Sequence, residues 1–138
     1  MRHDRTNEAQ RVARWRVALL GVAFFAVGWP GRVYRGPGSA WTMGHWWDLF
    51  GPGVVWCAGR LLFPRASRRA FGLTLWALLM SNELLQAVPG VWLDRLRSTR
   101  VGSVVLGWNF DPWDLVVISA GVLLAAAAEA AFAARRSP

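Results

Sequence analysis

The chain reads as an all-α polytopic membrane protein of four short transmembrane helices, with an interfacial segment between the third and fourth. Three observations predict this. Hydrophobic residues make up 54% and charged residues 17% of the 138 positions, and the apolar ones are bunched into runs rather than spread as in a soluble domain. The sixteen basic residues are all Arg, and all but Arg60 sit between or beside those runs. A helix-start signature, Asp111-Pro112-Trp113-Asp114, opens the last run.

Residues 1–16 carry five Arg and precede an uncharged run from Val17 to Trp29. A basic flank entering a membrane has this pattern. A span needs about 20 residues, so the first is placed at 14–30, with Arg14 and Arg16 snorkelling to the surface. A cleaved signal peptide ending at Ala26-Val27-Gly28 is the rival reading, weakened by the hydrophobic segments that follow. Gly31 to Trp47 reads as a loop whose Trp41, Trp46 and Trp47 suit the water–lipid boundary.

The second span is placed at 49–63, with Pro52 marking its first turn. A tight basic connection, Pro64 to Arg69, leads to the third span at 70–88, so these two helices are expected to be antiparallel neighbours. Val91 to Gly107 is less apolar and reads as an interfacial helix followed by an extended stretch around Val101 to Leu106. The fourth span is 113–134, entered by an Asp cap and acids that suit the positive helix end.

Arg counts of five, three and two on one side against two and three on the other predict both termini in the cytoplasm. The absence of Lys is read as the coding bias of a GC-rich bacterium, which places the chain in a bacterial cytoplasmic membrane. The basic residues do not form a helix interleaved with aromatics, so no nucleic-acid partner is expected. Cys57 is alone, so the chain cannot form an internal disulfide. No cofactor, catalytic set or metal-ligand set is read from the residues.

Helix depths sort the buried charges. Arg60 and Glu129 fall at similar depth near the cytoplasmic ends, where they can pair or snorkel. Glu83 falls in the outer half of the third helix, too far from Arg60 to pair, with Gln86 on its face. Arg32, Asp48, Arg100 and Asp114 come to a similar depth, as do His45 and Asp111. The acids at 111 and 114 read first as helix caps and His45 as an interfacial residue.

The string Asn82-Glu83-Leu84-Leu85-Gln86, the Arg cluster 95, 97 and 100, Leu106-Gly107, Phe110, Asp114-Leu115 and Gly121 resemble a family of small bacterial membrane proteins of unknown function related to the VanZ-like proteins. The resemblance covers about residues 17–130 and implies that Arg32, Asp48, Glu83, Gln86, Asp114 and Gly121 belong to the family pattern. Gly31, Trp47 and Ile118 depart from it. VanZ-like proteins are linked to glycopeptide tolerance, which implies an activity at the outer membrane surface.

Ligand-binding candidates are therefore Arg32, Asp48, Glu83, Gln86, Arg100 and Asp114, for a lipid headgroup or lipid-linked cell-surface precursor, with Arg32 and Arg100 clamping its anionic group. Expected partners are membrane lipids, such a lipid-linked ligand, and a second copy or a larger membrane complex. A small proton-coupled transporter and a structural subunit are the alternatives. An enzyme using Glu83 as general base lacks a nucleophile beside it.

Overall fold

The structure is a computed structural model that describes residues 2–107 and 110–134. Among these residues the elements are all helical: α1 (Arg2–Val33), α2 (Ser39–Trp41), a π-helical turn (Thr42–Trp46), α3 (Trp47–Leu62), α4 (Arg68–Gln86), α5 (Val91–Arg97), α6 (Arg100–Val105) and α7 (Pro112–Ala134). The C-terminal Arg135 and Arg136 counted for topology lie outside the described residues.

Two helices are long and apolar enough to cross a membrane, Arg11–Val33 within α1 and all of α7. α4 and α5, bent by 112° at their junction, qualify together as a third. Large apolar side chains face outward on several helices, Leu78 and Leu123 being 64% and 70% exposed. Water disfavours that surface and a bilayer does not.

The expected loop from Gly31 to Trp47 is mostly helix. α1 runs through Pro30 to Val33, and a helical run resumes at Ser39 and continues through the π turn into α3. Only residues 34–38 connect them, turning at Gly38 with φ 77°. The aromatic residues are what hold this segment in place. Trp46 packs on Gly31 and donates its Nε1 hydrogen to the Val27 carbonyl at 2.8 Å. Pro52 accordingly lies inside α3 rather than at a helix start. It leaves the Asp48 carbonyl without its helical donor. The stretch expected to be extended near residue 101 is helix α6, entered through Thr99, whose side chain accepts from Gly102 N.

α1 and α3 form an antiparallel hairpin in which Gly21 lies against Cys57, Gly28 against Phe50 and Gly53 against Phe24. α7 runs parallel to α3, with Asp114 beside His45 and Glu129 beside Trp56 and Arg60. α4 returns antiparallel to both: Phe71 meets Trp56 edge-on at 5.4 Å, and Trp76 Nε1 donates to Ser119 at 2.9 Å. The core is a narrow column of Phe24, Trp56, Cys57, Leu75, Val122 and Ala125.

At the end of the bundle that holds the α3–α4 turn, Glu129 accepts from Trp56 Nε1 at 2.8 Å, Arg60 Nε at 3.2 Å and Arg68 Nε at 3.3 Å. The pairing of Arg60 with Glu129 agrees with their matched depth. At the other end Arg97, buried, donates to the Leu85 carbonyl at 2.6 Å and so closes the C-terminus of α4.

Glu129→Gln should destabilise the bundle by about 2–3 kcal/mol, because Arg60, largely buried, would then lose its carboxylate and keep only the Ala66 carbonyl. Arg68→Ala, at a half-exposed side chain, should cost under about 1 kcal/mol. Thermal unfolding of the two variants in one detergent compares them.

Candidate functional site

The second group of polar residues gathers at the end of the bundle opposite Glu129. Arg32 lies in the last turn of α1, exposed, its guanidinium carbon 5.5 Å from the centre of the Trp47 ring. His45 occupies the π turn and Asp48 the first turn of α3. The spacing of three residues puts them on one face of a continuous helical run. An inserted π turn widens the helix locally and is frequent where a side chain must be aimed at a site.

α7 brings the third member of this cluster. Asp111 caps it, accepting from Trp113 N at 2.9 Å, and Pro112 takes the first helical position, as the sequence implied. Asp114 does more than suit the helix dipole: its Oδ1 lies 2.8 Å from His45 Nδ1. The other ring nitrogen, Nε2, lies 3.9 Å from Asp111 Oδ2. One ring nitrogen of His45 and one oxygen each of Asp48 and Asp114 lie within 4.8 Å of one another.

From α4 comes Glu83, buried, whose Oε2 accepts from Gln86 Nε2 at 2.8 Å. Their spacing of three residues makes this bond local to one helical turn. Gly107, in a left-handed turn with φ 62°, lets the backbone after α6 come against the Gln86 amide, where a Cβ would lie 2.8 Å from it.

These side chains line one partly open cavity of about 620 Å³. Five of the residues singled out from sequence are in its wall: Arg32, Asp48, Glu83, Gln86 and Asp114. Arg100 is exposed on α6 and is not in the wall, so it forms no clamp with Arg32 there. His45 is in the wall. The sequence brings it to this depth but reads it as an interfacial residue beside Trp46 and Trp47; as part of a helical run it stands three residues before Asp48 and joins the cluster.

The charge of the cavity follows from this list. Four carboxylates, Asp48, Glu83, Asp111 and Asp114, face one Arg and one His. Among the described residues Arg32 makes no ion pair with any of them. The wall is therefore acid-rich, and an anionic group entering it meets more repulsion than attraction unless a cation enters too.

What holds the acids in place is the close approach of α3 and α7. Gly121 packs directly on the Asp48 and Leu49 carbonyls, the former 3.1 Å from where a Cβ would stand.

Residues 42–122 match the model of a family described as protein of unknown function, DUF2809. The matched stretch runs from the π turn into the first half of α7, so it contains His45, Asp48, Glu83, Gln86 and Asp114, and leaves Arg32 outside. No curated protein and no solved structure matches the chain.

Gly121→Val should push α7 from α3, at a cost of about 1–3 kcal/mol for overpacking. It should separate Asp114 from His45, so that a following Asp114→Asn costs less in this background than in the wild type. A double-mutant cycle by thermal unfolding measures the difference.

Proposed function

The chain belongs to the DUF2809 family, and from that premise we propose that it is a multi-pass membrane protein that binds a lipid headgroup or a lipid-linked cell-surface precursor in its polar cavity. In this reading α1, α3, α4 and α7 are four spans of a bacterial cytoplasmic membrane. Both termini are cytoplasmic and the cavity is at the outer surface. The resemblance to VanZ-like proteins supports an outer-surface role.

The observation that carries the reading is the convergence of Arg32, Asp48, Glu83, Gln86 and Asp114, from four different helices, on one cavity. Acids inside an apolar bundle are costly, and the sites that retain them are normally ligand or ion sites. Glu129 is answered by two Arg residues within the fold, whereas among the described residues no Arg pairs with the cavity acids, and Asp114 meets His45. Arg32 at the wall offers a planar fork to a phosphate or carboxylate, and the acids call for an accompanying positive charge.

A proton-coupled transporter is the second reading, favoured by Glu83 being a buried acid in the cavity wall. It differs in requiring access to the cavity from both membrane faces.

Purified wild type, Arg32→Ala and Glu83→Gln should be compared for binding to a panel of lipids and lipid-linked precursors. Both variants should keep the wild-type thermal midpoint within a few degrees and bind the preferred headgroup about tenfold more weakly, the loss of one charge-assisted contact. Unchanged binding in both variants would sink the headgroup reading, and proton-driven uptake into vesicles lost in Glu83→Gln would replace it with transport.

A further inference from the structure

The acid-rich wall leaves open what cation sits beside the carboxylates. We propose that His45, Asp48 and Asp114 form a binding site for one divalent transition-metal ion of the zinc or manganese kind. This inference deepens the reading of the cavity as a ligand site and rests on it.

Three observations carry the assignment. The first is the donor set. One imidazole nitrogen and two carboxylate oxygens already lie within 4.8 Å of one another. Bonds of about 2.0–2.2 Å around an ion put neighbouring donors about 3–4 Å apart, so side-chain movements of about 1 Å close the shell. A mixed nitrogen and oxygen set suits zinc and manganese, whereas Mg2+ and Ca2+ favour oxygen alone.

The second is the origin of the ligands. His45 and Asp48 come from one face of the run formed by the π turn and α3. Asp114 comes from α7, which Gly121 holds at close range to the same run. The set is thus positioned by packed backbone rather than by loops. It is also not a cap doing double duty, because the capping bond of α7 belongs to Asp111.

The third is the space and charge around it. The three donors stand in the wall of the cavity of about 620 Å³, so coordination positions that the protein does not fill face open volume. A divalent ion cancels the two carboxylates of its own shell. The remaining wall then holds Glu83 and Asp111 against Arg32, which is engaged over the Trp47 ring, so the excess of acids falls from three charges to one with His45 neutral. With the ion in place an anionic headgroup can take an open coordination position of the ion and meets far less repulsion from the wall.

The test uses the full chain in detergent, stripped with a chelator and then titrated separately with Zn2+, Mn2+ and Mg2+ by calorimetry, with thermal unfolding in parallel. Wild type should take up one Zn2+ or Mn2+ per chain, with Mg2+ much weaker, and its thermal midpoint should rise with the metal. His45→Ala and Asp48→Asn should each weaken that affinity by about tenfold or more and lose the rise. Asp48→Asn is nearly isosteric and keeps the test alive if His45→Ala does not fold.

The absence of saturable binding to the wild type, equal binding to both variants, or Mg2+ binding as tight as Zn2+ and Mn2+ would overturn the site. The same samples in the lipid assay separate the two readings. Headgroup binding that survives chelation, in a protein that titrates no metal, overturns the metal site alone and leaves a proton or a ligand amine as the cation. Metal uptake without headgroup binding supports the site and removes the lipid reading.

Discussion

α3 and α7 run parallel, and they can come close only because Gly121 has no side chain where the Asp48 and Leu49 carbonyls lie. Pro52 makes this contact more consequential, since it leaves the Asp48 carbonyl without a helical donor. Around the seam everything else takes its place. α1 closes on α3 and its π turn through glycines facing Cys57, Phe50 and Trp46, and α4 packs through Phe71 and Trp76. Each end of the seam carries a polar contact from α3 or its π turn to α7: Trp56 and Arg60 to Glu129, and His45 to Asp114.

The two ends meet opposite fates. Glu129 is surrounded by donors, two of them cationic, so its charge is answered within the fold. At the other end the acids outnumber the cations, and Arg32 leans on an indole ring rather than on a carboxylate. A bundle this thin, with a core of a few large side chains, has little stability to spend on uncompensated charge. One cluster is thus neutralised within the fold, and the other is left acid-rich at the wall of an open cavity.

Much of the fold was legible because burial in lipid and the cost of exposed backbone polar groups leave few options for apolar runs. The fourth helix, with Asp111 capping and Pro112 leading, is as its residues imply. So is the match of Arg60 with Glu129, which depth arithmetic alone suggests. The segment 31–47 was not legible. Its Gly, Pro and Trp content signals a loop locally, but Trp46 finds Gly31 and the Val27 carbonyl on α1, and those contacts make helix the better state. Read as a loop, that stretch leaves His45 an interfacial residue, since its relation to Asp48 exists only on a helix. Arg100 was assigned to the cavity by depth alone, and depth does not say which way a short helix such as α6 faces.

The sequence by itself determined the class of the protein, its long helices and the residues whose burial needs explaining. It could do so because hydropathy, capping and charge act over a few residues at a time. Only the tertiary structure decided which of those residues meet. Asp114 reaches His45 across 69 positions of chain through the parallel packing of α3 and α7. That packing depends on one missing side chain and two backbone carbonyls, a fit between surfaces that no local pattern encodes.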